Sequence, residues 1–345
     1  MTSSMSHLLE YTRKGIYCPQ ADIYIDPSRR VENAIITHAH GDHARPGSKH
    51  YLAHKHSEPV LRMRLGEQIS LRTVEYGESF TINGVRFSLH PAGHIIGSAQ
   101  IRVEHKGEVW VVSGDYKMQN DNFSAPFEPV KCNVFITETT FGLSKFKWKP
   151  QQTVIDEITN WVSKNHSEGI TSVLMGYALG KMQRLLVNLP KFDFPVYAHP
   201  SIVKLHERLS EAGLLLPSVI PLKQTLPAEI LKGALVLSQP SATENLWLRK
   251  LPNYQVGFCS GWVGALEKKK HTAYHKGFEL SDHSDWDELN TAVRETGAQC
   301  IYTTHGYTSE FSKWLRVCGL QSKELENMSN TSEQMVMNMP ELNNE

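Results

Sequence analysis

The sequence predicts an α/β protein in which a β-rich outer lobe is interrupted by a smaller parallel α/β lobe. Three observations carry this prediction. The first part of the chain strings short β-rich runs between Gly-punctuated turns, the middle alternates strands with amphipathic helices, and short strands then resume. At 345 residues the chain is also long for a single hydrophobic core.

Taken in order, "ADIYID", "NAIITH", "YLAH", "FTINGVRFSLHPAG", "AQIRVEHKGEVWVVSGD" and "VFITET" are the β-rich runs. Within "IRVEHKGEVWVV" a two-residue turn near "KG" joins alternating runs, which is the pattern of a hairpin. The pattern changes at "QTVIDEITNWVSKNHSEG". There Val154, Ile155, Ile158, Trp161 and Val162 fall at helical spacing before a Gly stop. "TSVLMGYA", "FPVYAH" and "GALVLSQ" then read as strands separated by the helices "GKMQRLLVNL" and "SIVKLHERLSEAG". From about "NYQVGFCSGW" short strands return, "SDHSDWDELNTAVRETG" reads as a capped helix and "CIYTTHG" as a buried strand. The expected boundaries are 1–147 and 277–325 for the outer lobe, 148–276 for the inserted lobe, and 326–345 for a polar, Asn- and Met-rich tail expected to be disordered.

Composition narrows the function classes. A hydrophobic share of 40% and a charged share of 21% are those of an ordinary globular protein. Zero net charge argues against a surface coated in positive charge, though not against a local basic groove. Cys18, Cys132, Cys259, Cys300 and Cys318 are scattered, never in a C-x-x-C pair, and read as reduced, packed thiols rather than metal ligands. The start "MTSSMSHLLEYTRKG" has no apolar h-region and no stretch is long enough to span a bilayer, so the cytoplasm is the expected address, away from any membrane.

The densest chemistry is "THAHGDH", residues 37 to 43, which crowds three histidines and an aspartate directly after the apolar "AIIT". A strand feeding a short loop sets His38 and His40 on one side of the backbone, with Asp42 and His43 at the turn. Imidazole and carboxylate ligands without thiolate suit Zn²⁺ or a similar first-row ion. His94 in "PAGHIIGS", Asp115 ending "VWVVSGD" and His305 ending "CIYTTHG" extend the set, and Asp26, ending "ADIYID", is placed to orient a ligand from behind. A structural zinc needs only four ligands. The surplus argues for two divalent metals, zinc first, manganese or magnesium in its place, activating a shared hydroxide for displacement at phosphorus.

"THAHGDH", "AGHIIGS" and "VVSGDY", preceded by "YIDPS", resemble the signatures of the metallo-β-lactamase superfamily. "ITETTFG", "SDHSDW" and "YTTHGY" resemble the three further signatures of its nucleic-acid-processing β-CASP branch, in the spacing that an inserted lobe requires. The match runs from about Tyr11 to Leu320, and "GYALGKMQRLL" is most similar to the bacterial ligase-associated DNA exonucleases, relatives of the Artemis-like nucleases. The resemblance implies an αββα sandwich with an inserted β-CASP lobe. It implies one metal on His38, His40, His94 and a bridging Asp115, and a second on Asp42, His43, Asp115 and His305. It assigns catalysis to Asp42, Glu138 and His283, with His283 as general acid held by Glu138.

The function expected on these grounds is a metal-dependent DNA phosphodiesterase, an exonuclease of 5′ to 3′ polarity in DNA repair. An ATP-dependent DNA ligase and a helicase are its implied partners. Two stretches are candidates for phosphate binding. Lys181 and Arg184 start a helix after "MGYALG", and Lys268, Lys269 and Lys270 lie in the basic run "LEKKKHTAYHK". The alternatives are an RNA nuclease of the same branch and a thioester or lactam hydrolase with the same metal core. The second of these has little use for Glu138, His283 or the inserted lobe.

Overall fold

A computed structural model describes residues 7–223, 225–240, 248, 251, 253–266 and 274–328. The chain opens with β1 (Glu10–Thr12), β2 (Gly15–Cys18), β3 (Ile23–Ile25), β4 (Asn33–Ile35), β5 (His50–His54), α1 (Glu58–Leu65) and β6 (Ser70–Val74). Next come β7 (Ser79–Ile82), β8 (Val85–Pro91), β9 (Ala99–His105), β10 (Glu108–Val112) and β11 (Val134–Thr139). The middle holds α2 (Gln151–Ser167), β12 (Thr171–Met175), α3 (Lys181–Asn188), β13 (Val196–Ala198), α4 (Pro200–Glu211), β14 (Ile220–Pro221), β15 (Leu235–Ser238), β16 (Tyr254–Cys259), α5 (Val263–Leu266) and β17 (Lys276–Phe278). The chain returns through α6 (Trp286–Thr296), β18 (Cys300–Gly306), α7 (Thr308–Val317) and β19 (Gln321–Glu324).

These strands form three sheets: β1-β2-β3-β4-β5-β6, β19-β18-β11-β10-β9-β8-β7 and β14-β13-β15-β12-β16-β17. Period-two alternation decides which face of each strand is buried. Ile23 and Ile25 of β3 turn inward with Ile35 and Leu52 to meet Phe87, Ile101, Val103, Trp110 and Ile136 of the second sheet in one core. The opposite face of the second sheet, Val111, Phe135 and Ile301, is covered by Leu289, Val293, Phe311 and Leu315 of α6 and α7. The opposite face of the first, with Ala34 and Ala53, packs on Val60 and Leu61 of α1 and on Leu205 and Leu209 of α4. Helices therefore flank two face-packed sheets, and the mixed α/β architecture is that of the expected sandwich. The third sheet is parallel throughout and is covered on both faces, which is why its central strands β12 and β15 are buried along their whole length rather than alternating.

The hairpin at "KG" forms as the pattern predicts. β9 and β10 pair antiparallel with His105 opposite Glu108, and Lys106 and Gly107 both take positive φ, 50° and 83°, as a two-residue turn requires. Of the segment expected as a tail from residue 326, residues 326–328 fall among the described residues and belong to the fold. Leu325–Asn327 makes a 3₁₀ turn, and Leu325 and Met328 are buried in the core between the two sheets, since both offer apolar surface next to it. The remainder of the tail, 329–345, lies outside the described residues. No helix among the described residues is long and apolar enough to cross a membrane.

Candidate metal centre

The residues singled out in the sequence collect where strands of the two packed sheets end. β3 and β4 run parallel, and Asp26 and the 37–43 loop follow their C-terminal ends. β10, β11 and β18 are also mutually parallel, and Asp115, Glu138 and His305 lie at their C-terminal ends. The loop is fixed from both sides: the Ala99 amide donates to Thr37 O at 2.8 Å, and the Arg64 guanidinium of α1 donates to Ala39 O. Gly114, at φ 56°, lets the end of β10 close on the loop, for a Cβ there would sit 2.7 Å from Thr37 Cβ.

His38, His40, His94 and Asp115 come together, their ligating atoms all within 4.8 Å of one another. His40 Nδ1 is 3.1 Å from His38 Nε2 and 3.0 Å from His94 Nε2, and Asp115 Oδ2 is 3.5 Å from His38 Nε2 and 3.8 Å from His94 Nε2. Nitrogens sharing one tetrahedral zinc at about 2.0–2.1 Å stand ~3.3 Å apart, so this spacing suits ligands of a single ion. Each ring has an oxygen on its other side. His94 Nδ1 donates to Asp282 O at 2.7 Å, His38 Nδ1 lies 3.1 Å from Thr37 Oγ1, and His40 Nε2 lies 3.4 Å from Leu179 O. Such partners take the ring proton outward and leave the bare nitrogen facing the cluster. Burial also holds His38, His40 and His94 below the usual imidazole range, His94 down to about 3, in the neutral form a metal needs.

A second group adjoins the first through Asp115. His43 Nδ1 donates to Asp26 Oδ2 at 2.7 Å, and Asp26 also accepts from the Thr37 amide at 2.8 Å and its hydroxyl at 2.5 Å. The other nitrogen, His43 Nε2, is buried without a hydrogen-bond partner, 3.4 Å from Asp115 Oδ1 and 3.8 Å from Asp42 Oδ2. An orphaned imidazole nitrogen aimed at two carboxylates fits a cation site. Burial opposes a charge on His43, but Asp115 and Asp26 on either side raise it well above its ordinary value, so a cation taken up there displaces a proton. Burial would likewise raise Asp115, but His43 and His38 pull it well below the carboxylate range.

His305 faces His43, ring centroids 5.1 Å apart. It is the extra residue of a bulge, for Glu138 pairs with Thr304 and Thr139 with Gly306. Its φ of 56° belongs to the left-handed region, as does the 44° of Asp26. Bulges and left-handed residues re-aim side chains at local cost and gather at functional sites. Asp42 is the outlier, 64% exposed and reaching the group only at its edge.

Glu138 and His283 meet beside this centre. His283 Nδ1 is 3.0 Å from Glu138 Oε1 and 3.1 Å from Oε2, while the buried Glu138 carboxylate also accepts from the Tyr116 amide at 2.8 Å. Asp115, Glu138 and His283 could by distance hold an ion themselves. The carboxylate and Nδ1 are instead spent on each other, which reads as a hydrogen-bonded pair. Burial pushes His283 down, but the Glu138 carboxylate, joined by Asp115 and Asp282, outweighs it and lifts the imidazole to about 9. The His283 and His94 rings are 4.7 Å apart, so the pair adjoins the histidine cluster.

The expected phosphate contacts need correction. Lys181 and Arg184 are 1% exposed. Lys181 Nζ donates to Asp282 Oδ1 at 2.8 Å and Leu280 O at 2.6 Å, and Arg184 donates to Ser281 O at 2.6 Å and Gln151 Oε1 at 2.5 Å. Both fasten the segment that carries His283 and cannot reach a phosphate, because burying a cation demands partners of this kind. Lys268, Lys269 and Lys270 lie outside the described residues.

Other cations, not singled out from the sequence, border the centre. Arg45 lines a pocket of about 260 Å³ with Asp26, Asp42, His43, His305, Gly15 and Ser28, and Arg13, Lys14, Arg29 and Arg30 are exposed on the neighbouring turns. The Ser28 amide donates to Lys14 O, which ties two of those turns together. Arg45 stands two residues past the last histidine of "THAHGDH", a signal that could have been read.

No family model matches the chain. It is 30% identical over 314 residues, 89% of its length, to a protein of Opitutus terrae named "Probable DNA ligase", of which the match covers 30%. It is 29% identical over 144 residues to cleavage and polyadenylation specificity factor 73 of Drosophila melanogaster, 39% of this chain and 21% of that one. It is 29% identical over 124 residues to endoribonuclease YSH1 of Saccharomyces cerevisiae, 35% of this chain and 16% of that one. The chain thus spans less than a third of each of these relatives. A protein of unknown function from Enterococcus faecalis shares the fold, with a TM-score of 0.55 at 12% identity over 80% of this chain and 76% of that one.

Proposed function

This chain belongs to the metallo-β-lactamase superfamily and its β-CASP branch, and from that premise we propose that it is a metal-dependent phosphodiesterase acting on DNA, an exonuclease of 5′ to 3′ polarity in a repair pathway. The observation that carries this reading is one composite site: a neutral histidine cluster closed by Asp115, with a charged His283–Glu138 pair against it. Two divalent cations, zinc or in its place manganese or magnesium, would be held by His38, His40, His94 and Asp115 and by Asp42, His43, Asp115 and His305; when bound they supply activation of water and charge stabilisation at phosphorus.

The chain's own groups do the rest. Glu138 keeps His283 protonated near neutral pH and turns its Nδ1 away, leaving Nε2 to give a proton to the departing alkoxide. Thr37, Leu179 and Asp282 orient the cluster histidines from behind, and Asp26 does the same for His43. Arg45 and the exposed Arg13, Lys14, Arg29 and Arg30 supply phosphate contacts in place of Lys181 and Arg184. The third sheet and its helices, within the expected range 148–276, would be the inserted β-CASP lobe and wall the site through the Leu179 loop.

DNA is favoured because the relative matched over 89% of this chain bears the name of a DNA ligase, which also supports a ligase as partner; a helicase partner rests on the resemblance to the ligase-associated nucleases. An RNA nuclease is the second reading, favoured by the endoribonuclease name of a shorter match. End-labelled DNA and RNA of one sequence, single- and double-stranded, incubated with Zn²⁺, Mn²⁺ or Mg²⁺, decide between them. Stepwise shortening of DNA from its 5′ end is the expected result. Internal cuts confined to RNA would replace the first reading by the second.

A further inference from the structure

β12 and β16 are adjacent parallel strands of the third sheet, Met175 opposite Phe258, and each is followed at its C-terminal end by an exposed aromatic residue. Tyr177 stands two residues beyond β12 and is 65% exposed; Trp262 stands three beyond β16 and is 37% exposed. The edge beyond the carboxyl ends of strands is where open α/β sheets bind ligands. Here that edge adjoins the metal centre. Tyr177 belongs to the loop whose Leu179 O lies 3.4 Å from His40 Nε2. Trp262 packs on Phe141, ring centroids 4.6 Å apart, and Phe141 lies 6.1 Å from His283.

The surroundings of Trp262 are aromatic and cationic. Phe146 is 5.8 Å and Tyr307 6.4 Å from its ring, and the exposed Lys145 ammonium lies 4.9 Å from the Phe146 ring centre and 6.0 Å from that of Tyr307. Trp148 holds the same loop to the site, its indole N–H donating to His283 O at 3.1 Å. Apolar rings left open to water beside a cation and a phosphodiester site suit one class of ligand, flat heterocycles joined by phosphates.

We propose that Tyr177 and Trp262, with Lys145 over the neighbouring Phe146 and Tyr307 rings, are a stacking platform for unpaired bases, which selects a single-stranded nucleic acid over a duplex at this site. The proposal rests on the phosphodiesterase reading. Pairs inside a duplex present only their edges, so along its length a duplex cannot use the two rings, whereas every unpaired base offers a face whatever its identity. The rings therefore act on binding of the strand and leave the chemistry at phosphorus to the cluster.

The test uses the full chain with Trp262→Ala, Tyr177→Ala, the double variant, and Trp262→Phe. Binding of a labelled oligothymidylate and of a blunt duplex of equal length is followed by anisotropy, and hydrolysis of bis(p-nitrophenyl) phosphate reports on the centre itself. Each alanine should weaken oligothymidylate binding by about 10- to 100-fold, the range of one lost base–aromatic stack. Trp262→Phe should recover most of this, duplex binding should change by less than about 2-fold, and hydrolysis of the small diester should stay at the wild-type rate. Tyr177, two-thirds exposed, can be truncated with little loss of packing and keeps the test decisive if Trp262→Ala folds poorly. Single-strand affinity unchanged in the variants, or duplex affinity falling in step with it, overturns the platform while leaving the nuclease reading in place. A wild type that cleaves the small diester but neither binds nor cuts any nucleic acid overturns both.

Discussion

Lys181→Met is the most informative single change, because it separates a phosphate contact from a buried anchor. The ammonium is 1% exposed and holds two groups, Asp282 Oδ1 at 2.8 Å and Leu280 O at 2.6 Å. Methionine fills much of the same volume but supplies no donor, so a carboxylate only 7% exposed is left without its cation. Burial disfavours the charge on Asp282, and Lys181 is the largest influence that keeps it ionised, well below the usual carboxylate range. Removing one partner of a buried pair costs about 3–5 kcal/mol, and little discount for solvent applies here since both side chains are buried.

The damage should spread along a short path. Asp282 O accepts from His94 Nδ1 at 2.7 Å and His283 is the next residue, so loosening the segment disorients a cluster histidine and the proposed acid together. Loss of such an orienting partner lowers metal affinity by ~10- to 100-fold. Urea unfolding of the apo protein should shift by the stated energy, and competition with a chelator should report the weaker metal. Lys181→Met with Asp282→Asn should recover part of the stability, as neutralising the stranded carboxylate removes most of the penalty. If Lys181→Met instead unfolds like the wild type, keeps its metal, and weakens DNA binding with a salt slope smaller by about one, the lysine touches phosphate and the anchor argument is wrong.

His40→Ala and Asp115→Ala should lower the metal content of the purified protein, Asp115→Ala at both positions because it faces both groups; elemental analysis reads this, and a metal-free wild type active in EDTA would sink the reading. His283→Ala should keep metal and fold yet lose about 10²–10⁴ in rate, with much of the loss recovered on a p-nitrophenyl diester whose leaving group needs no proton. As the acid must carry its proton, activity should fall as pH rises through about 9, and Glu138→Gln should move that limb to lower pH; an unmoved limb assigns it to another group. Away from the centre, burial lowers His54 and His206 to about 4. Each is therefore neutral when folded but protonated when unfolded between about pH 4 and 6.5, so stability should drop by up to about 1.4 kcal/mol per pH unit per histidine as pH falls through that window. Denaturant midpoints across that range, with His206→Gln flattening the slope, check it.

Much of this protein is legible in one dimension because the signals are local. The "KG" turn, the run "VFITET" that becomes β11 residue for residue, and the capping box of Asp285 and Glu288 on α6 each depend on neighbours a few positions away. The centre was legible for a related reason. Strand ends are where a chain can offer ligands without breaking its ladder, so His38, Asp115 and His305 all follow or end β-rich runs, and parallel strands bring those ends to one edge.

Tertiary structure alone decided the rest. Lys181 and Arg184 look like surface cations at a helix start, and only packing against 280–282, about a hundred residues away, makes them buried anchors. Tyr177 and Trp262 look like ordinary core aromatics in "GYALG" and "SGW", and only the pairing of β12 with β16 sets both at one open edge beside the histidines. Burial and adjacency are long-range quantities. A cation's partner or an aromatic's exposure depends on which distant strand arrives next to it, and that is settled when the sheets assemble.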